Sequence, residues 1–181
     1  MRNRIPKVLI GVLMLVLISC SSDDSSGDDQ SYMSATIGGD FWESTDHTST
    51  LTHIPSLSMQ RYDLTGKDEN YQVGMILFEE QITDCMTSKT YDDFPNKIVM
   101  LFYYGVGNDN FVSEHSNTVI TDPSIESDIR VTVTSCSDGM ISGTFSGTYY
   151  KVGDLSGLDT PEIVTITNGV FNNIPFTVQE L

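Results

Sequence analysis

Cysteines are the side chains with the most specific chemistry in this 181-residue sequence, which has three of them. Cys85 and Cys136 lie well inside the chain, and in an oxidising compartment such an even pair predicts one disulfide. The bridge would close a loop of about 50 residues, for which chain entropy gives roughly 4 kcal/mol of stabilisation. The alternative is two separate thiols, because a bridge requires Cα atoms within about 7 Å of each other.

Cys20 follows a segment with the layout of an export signal. Arg2, Arg4 and Lys7 form a basic head, and an apolar run follows at residues 8–18. A membrane-spanning helix needs about 20 apolar residues, so this run is too short to remain as an anchor. The layout therefore predicts a signal segment that is removed after export.

The residues just before Cys20 indicate how the chain is processed. A leucine three residues before the cysteine, Leu17, resembles the lipobox of bacterial lipoproteins. By that resemblance residues 1–19 are the signal peptide, and Cys20 becomes the first mature residue, thioether-linked to diacylglycerol and acylated on its nitrogen. Two or three acyl chains give stable anchoring, since each buried CH₂ contributes about 0.8 kcal/mol. The alternative is a plain secreted protein in which Cys20 is incidental.

Residues 20–31 predict a lipidated cysteine followed by a disordered tether. Ser21 to Asp29 contains only serine, aspartate and glycine, which cannot bury enough apolar surface to become ordered. The aspartate that retains enterobacterial lipoproteins in the inner membrane is absent after Cys20, and the serine and aspartate run looks like the surface-export signal of Bacteroidota lipoproteins. We expect an outer-membrane lipid anchor with the domain on the cell surface. The alternative is the periplasmic face.

The mature chain is strongly acidic. Three basic residues leave with the signal, so six of the nine Lys and Arg remain against 25 Asp and Glu, a formal charge near −19. Nucleic acids and anionic lipid headgroups are poor partners for that field. Contact with the membrane is therefore expected only through the lipid on Cys20. Residues 32–181 have the length of one ordinary domain with a real core.

The remaining polar residues form no convincing catalytic or metal-binding pattern. The histidines at positions 47, 53 and 115 lack the spacing of a zinc site. No Gly-x-Ser-x-Gly nucleophile motif occurs. Adjacent acids such as Asp92 and Asp93 would face opposite ways on a strand, which argues against a glycosidase pair. We predict no catalytic residue, no metal site and no cofactor.

Aromatic residues supply the candidate ligand-binding positions. Trp42 and Tyr150 lie beside the charged residues Glu43 and Lys151. An exposed aromatic ring can stack on a sugar ring or pack on a partner protein. Trp42 and Tyr150 are therefore the candidate ligand-binding residues. The alternative is core packing, because successive residues of a strand alternate between its two faces.

Short alternating patterns predict separate β-strands at several places within residues 32–181, with loops between them. Residues 33–37 alternate apolar and polar side chains before Gly38-Gly39, which predicts a hairpin. The apolar run 98–104 fits a buried strand at the centre of the sheet. Asn168-Gly169 predicts either a hairpin turn or a bulge in one continuing strand.

About eight short strands and no convincing helix predict an all-β fold, either an antiparallel β-sandwich or a partly open β-barrel. The segments 141–145, 166–171 and 174–176, with 35–39 and Trp42 near the start of the domain, are similar to a family of uncharacterised Bacteroidota lipoproteins with a domain of unknown function. The resemblance implies the lipid anchor and the β fold, and it implies no catalytic residue.

Together these features predict an outer-membrane lipoprotein that binds or scaffolds without catalysis. A glycan-binding or small-ligand-binding protein is the second function class, and a hydrolase is the third. An exposed aromatic patch would favour a glycan or protein partner. A deep apolar cavity would favour a small ligand, and converging carboxylates would favour hydrolysis.

Overall fold

The computed structural model describes residues 30–92, 99–104, 109–112, 129–151 and 163–181. Twelve β-strands and one turn of 3₁₀ helix, Pro55–Leu57, occupy most of this part of the chain. The strands are β1 (Tyr32–Ile37), β2 (Asp40–Glu43), β3 (Asp46–Ile54), β4 (Met59–Lys67), β5 (Tyr71–Glu79), β6 (Thr90–Asp92), β7 (Val99–Tyr104), β8 (Asp109–Val112), β9 (Arg130–Ser137), β10 (Met140–Lys151), β11 (Ile163–Pro175) and β12 (Thr177–Glu180).

Hydrogen bonds join the strands in one path with the order β12–β3–β4–β5–β7–β8–β10–β11–β1–β2, and β9 pairs with both β10 and β6. The described pairs are antiparallel except for β12 with β3. The path doubles back into two facing layers. We call β12, β3, β4, β5 and β7 the first layer, and β6, β9, β10, β11, β1 and β2 the second layer. The all-β, antiparallel-rich fold is confirmed, with more strands than the eight expected.

The ends of the path show whether the sheet closes on itself. Strands β12 and β2 do not pair with each other among the described residues. Over the described residues the sheet is not closed into a barrel, and the arrangement is consistent with a β-sandwich. Within the described ranges, no helix is long and apolar enough to cross a membrane.

Side chains that alternate along the strands fill the space between the layers. The first layer contributes Leu51, Tyr62, Leu64, Val73, Met75 and Leu77. The second layer contributes Met33, Ala35, Ile37, Trp42, Val131, Val133, Ile141, Phe145, Tyr149, Ile166, Phe171 and Ile174. These side chains belong to one cluster, so each layer covers the apolar face of the other.

Two predicted turns can be compared with the structure directly. Gly38 and Gly39 have φ angles of 59° and 102° and connect β1 to β2, which forms the predicted hairpin. Asn168 has a φ of 52° but lies inside β11. The pairing of β10 with β11 shifts register between Phe145 and Gly147, opposite this point. The second alternative, a bulge in one continuing strand, is the one observed.

Candidate functional site

The outer face of the second layer is rich in hydroxyl groups. In β10, buried Ile141, Phe145 and Tyr149 alternate with serine and threonine, which point away from the core. The same alternation continues in the neighbouring strands. We call this surface the hydroxyl face and define it by Ser34, Thr36, Thr132, Ser142, Thr144, Ser146, Thr148, Thr165 and Thr167.

Few charged side chains stand on the hydroxyl face. Where the structure describes side chains, the charged residues that these strands turn outward are Arg130, Asp92 and Glu43. The whole chain, in contrast, has a formal charge of −16. The hydroxyl face is therefore a nearly neutral, polar surface on an acidic molecule.

Strand register places one row of side chains across this face. Phe41 is opposite Thr36, and Thr36 is opposite Thr167. Farther along, Ser146 is opposite Arg130. The register shift between β10 and β11 places Ser146 beside the segment of β11 that contains Thr167. This joins the two groups of opposed residues into one row. We call the residues from Phe41 to Arg130 the hydroxyl row.

A shallow groove of about 400 Å³ lies at the Arg130 end of the hydroxyl row. Its polar lining comes from Arg130, Thr132, Thr144, Ser146 and Asn168. Its volume is at the small end of the range seen for ligand pockets, about 300–1,000 Å³. The Oγ1 atoms of Thr132 and Thr90 are 3.0 Å apart, so adjacent strands hold these hydroxyls in contact.

Glycine is required where β11 bulges beside the groove. A Cβ atom at Gly169 would collide with the carbonyl oxygen and the ring of Phe145. The strand therefore passes close over Phe145 and presents no side chain at this point.

Trp42 is a core residue, which corrects the prediction that it binds a ligand. Its side chain is only 3% exposed. Trp42 pairs with Ala35 across the hairpin, and directly opposed residues of an antiparallel pair share a face. Because Ala35 belongs to the buried set, Trp42 must also point inward. Its neighbour Phe41 points outward and is 75% exposed.

Phe41 is the aromatic residue that the sequence interpretation missed, and a signal for it exists. The two-residue turn at Gly38-Gly39 aligns residue 36 with 41 and residue 35 with 42. The apolar alternation at 33, 35 and 37 then assigns Trp42 to the core and Phe41 to the surface. For the second predicted residue, Tyr150, the backbone pairs with Ile163 and Val112, and its side chain lies outside the described part of the structure.

The outer face of the first layer carries paired charges. Lys67 Nζ lies 3.2 Å from Asp46 Oδ2, and Arg61 Nε lies 2.8 Å from Asp63 Oδ2. Lys67 and Asp46 also line a second groove of about 290 Å³, with Thr48, Thr65, Gln72 and His47. We call this surface the charge-paired face. Its cations are already engaged by carboxylates of the same chain.

His47 and His53 are both in contact with neighbouring segments. His47 Nε2 lies 2.7 Å from Ser31 Oγ, at the end of the predicted tether. His53 Nε2 lies 3.0 Å from the carbonyl oxygen of Thr83. The described residues contain no group of three or more His, Cys, Asp or Glu side chains that could hold a metal ion.

One carboxylate is buried between the layers, at the end of β5. Glu79 accepts hydrogen bonds from Tyr91 Oη at 2.6 Å and Gln60 Nε2 at 2.9 Å, and Lys89 Nζ lies 2.9 Å away. The backbone N–H of Thr87 donates another at 3.2 Å. Burial by itself would raise the pKa of Glu79, but the bonds from Tyr91, Lys89 and Thr87 together lower it to about 2.

This arrangement gives Glu79 a structural role. A general acid or base must exchange a proton near the working pH, and the Glu79 carboxylate stays ionised far below neutrality. The network instead holds the loop between β5 and β6 against the core. Gln60 strengthens the attachment, since its amide donates to the carbonyl oxygen of Cys85 at 3.1 Å and accepts from the N–H of Thr83 at 2.8 Å.

Cys85 and Cys136 form a disulfide, with Cα atoms 5.7 Å apart. The bridge joins the loop after β5 to β9 near its end, and so ties the first layer to the second. Of the other predicted site residues, Cys20 lies outside the described residues, as do the signal segment and most of the tether.

Comparisons with known proteins gave no match: no family model, no curated protein and no solved structure matches the chain. The similarity to Bacteroidota lipoproteins therefore stays a prediction.

Proposed function

We propose that this protein is a lipid-anchored, non-enzymatic binding module of the outer membrane that presents its hydroxyl face to a neutral glycan. The observation that carries the proposal is the hydroxyl row, in which an exposed aromatic ring and a groove with a guanidinium group are joined by serine and threonine. A sugar offers an apolar ring face and many hydroxyl groups, which match these partners.

The charge distribution favours a neutral ligand. The acidic chain as a whole repels anionic polymers at a distance. The hydroxyl face itself presents both donors and acceptors with few charges, which suits an uncharged, hydroxylated partner. Glu79, the buried carboxylate, is engaged by donors from several segments, which supports binding without catalysis.

The anchor follows from the sequence before the domain. Cys20 would hold the lipid, and the residues between it and β1 would be a tether that reaches at most roughly 37 Å when extended. The start of the domain is attached to the sandwich, because Asn172 Nδ2 donates to the carbonyl oxygen of Gln30 at 3.2 Å. A domain held off the membrane in this way can meet a large extracellular ligand.

A glycan array is the direct test of the binding function. The mature protein, fluorescently labelled and kept in detergent, should bind neutral glycans and should release no sugar product on prolonged incubation. If no neutral glycan binds, the proposal is contradicted. Release of shortened oligosaccharides would instead indicate a hydrolase.

Location and lipidation need separate measurements. Labelling of cells with a palmitate analogue should mark the wild-type protein and not the Cys20→Ser variant. Protease added to intact cells should digest the domain if it is on the surface. Protection of the domain until the outer membrane is opened would assign it to the periplasmic face.

A further inference from the structure

The hydroxyl row crosses the strands, and its direction constrains the shape of a ligand. It passes over β2, β1, β11, β10 and β9, and Asp92 of β6 lies opposite Arg130 at its end. Neighbouring strands are about 4.8 Å apart, so the four intervals between the five strands from β2 to β9 give a length of roughly 19 Å. A pyranose ring is close to one such interval in length. The row can therefore hold on the order of four rings in line, one for each interval.

One end of the row provides a stacking surface. Phe41 is 75% exposed although it lies in a regular strand. Thr36 is directly opposite it, so the ring stands next to the first hydroxyl of the row. An aromatic face beside a hydroxyl can contact the apolar face of a sugar and one of its hydroxyl groups together.

The other end of the row provides the hydrogen-bond donors of the Arg130 guanidinium group. Among the ion pairs of the described residues, Arg130 takes part in none. A guanidinium group has five N–H donors in a fixed plane, which can donate to two neighbouring oxygens at once. Thr132, Thr144 and Ser146 line the same groove as Arg130. These groups together suit a sugar with two adjacent hydroxyls.

Among the described residues, each end of the row lies near an edge of the sheet. At the Phe41 end, β2 is the last strand of the path. At the Arg130 end, the shallow groove is lined by residues of β9, β10 and β11, and β6 is the last strand on that side among the described residues. A chain of sugars could therefore enter at one side and leave at the other, so the row suits the interior of a long chain.

From these observations we infer that the hydroxyl row binds an internal segment of a linear neutral polysaccharide across the strands, with Phe41 stacking on one sugar and Arg130 binding another near the opposite end. The inference rests on the proposed function. It assigns two binding residues, Phe41 and Arg130, and one class of ligand.

The first test is the dependence of affinity on chain length. The mature protein in detergent is titrated calorimetrically with linear β-1,4- and α-1,4-glucan and β-1,4-mannan oligosaccharides of increasing length. For the series that binds, affinity should rise with each added sugar and level off once the chain spans the row. Reduction of the terminal sugar should not weaken binding of the longer chains.

The second test compares variants with matched controls. Phe41→Ala should weaken binding of the longest oligosaccharide about tenfold, whereas Leu57→Ala, an exposed apolar residue on the 3₁₀ turn, should have no effect. Arg130→Gln should weaken binding about fivefold, whereas Arg61→Gln on the charge-paired face should have no effect. Circular dichroism of each variant verifies that the fold is retained.

The possible results separate this inference from the proposed function. If no neutral glycan binds the wild-type protein, the proposed function fails. Two results would overturn only the inferred binding along the hydroxyl row and leave the proposed function standing. In the first, a disaccharide binds as tightly as a long chain. In the second, Phe41→Ala and Arg130→Gln bind glycans as tightly as the wild type. Tighter binding of a uronate polymer than of a neutral one would also overturn the inference, because it would assign Arg130 to a carboxylate.

Discussion

The two outer faces of the sandwich share one strand geometry but use their polar groups differently. On the charge-paired face, Lys67 meets Asp46 and Arg61 meets Asp63 within the same chain. On the hydroxyl face, serine and threonine follow one another across the strands, and Arg130 forms none of the described ion pairs. A cation that is already engaged by a carboxylate has less capacity to bind a ligand, which favours the hydroxyl face as the proposed recognition surface.

The layers below these faces also differ. The first layer buries a polar network around Glu79, at the end that contacts the disulfide-bonded loop. The second layer contains close glycine contacts. At Gly143 an added Cβ would meet the carbonyl oxygen of Thr132 and the ring of Phe171. The Glu79 network thus lies at one end of the space between the layers, whereas the contact at Gly143 is between backbone and an aromatic ring of the second layer.

Loss of the disulfide should have the largest effect, because it removes the covalent cross-link between the loop after β5 and strand β9. The Cys85→Ser, Cys136→Ser double variant should lose up to about 4 kcal/mol of unfolding free energy, since the bridge spans 51 positions and constrains the unfolded chain. Urea denaturation followed by circular dichroism measures the change. A reductant should produce a similar shift in the wild type, and an unchanged midpoint would contradict the prediction.

Acidification should have the second largest effect on stability, through protonation of Glu79 at the end of β5. The pKa of Glu79 is about 2 in the folded protein and near 4.3 in an unfolded chain. Because the folded pKa is the lower one, the stabilisation is complete above the unfolded value and is lost as the pH falls toward 2. The shift corresponds to about 3 kcal/mol.

The variant Glu79→Gln isolates this contribution from the other carboxylates. Its stability should fall less steeply than that of the wild type between pH 4.5 and 2, measured by urea denaturation at each pH. Glu80→Gln, an exposed neighbour, serves as the control and should follow the wild-type curve. Identical slopes for Glu79→Gln and wild type would refute the assignment.

A pair of glycines compares the packing of the two layers. Gly143→Ala should destabilise the protein by about 2 kcal/mol, because its new methyl group would collide with backbone and an aromatic ring. Gly66→Ala in the first layer should cost less, since the nearest atom is the flexible Met33 Sδ at 2.7 Å. Thermal unfolding of the two variants decides the order. Equal losses would indicate that the layers are packed alike.

The smallest effects should come from the outer faces themselves. Lys67→Gln breaks an exposed ion pair and should cost about 0.5 kcal/mol, an effect that shrinks in high salt. Thr144→Ala on the hydroxyl face should change stability by a similar or smaller amount with no dependence on salt. Denaturation at low and high ionic strength makes the comparison. A salt-dependent loss of unfolding free energy for Thr144→Ala would contradict the distinction between the two faces.

The fold class could be predicted from sequence because alternation and turn residues are local signals. The hairpin at Gly38-Gly39 and the run that became β7 both follow this logic. Strand β3 was missed because its first half is polar on both faces, from Asp46 to Thr50, so no apolar alternation marks it. It is a strand because it pairs along its whole length with β4, which is a long-range fact.

The candidate site was harder to predict because its residues come together only through long-range strand pairing. The hydroxyl row is assembled from strands that are distant in sequence, such as β2 and β9, and its alignment depends on a register shift inside β10. The choice between Phe41 and Trp42 was accessible in principle, because the hairpin register and the buried position of Ala35 determine it. The alignment of Arg130 with Ser146 could not be predicted from sequence, because it depends on the register of β9 with β10.

The attachment of the tether has a mechanical consequence. Ser31 contacts His47, and the next residue begins β1, which is hydrogen-bonded to β11 on one side and to β2 on the other. If the chain is held at Cys20 as proposed, a ligand dragged by flow would pull along β1. A force along a strand loads its hydrogen bonds in shear, so they resist together and do not open one by one. The anchor would thus enter the domain where a β-sheet best resists being pulled apart.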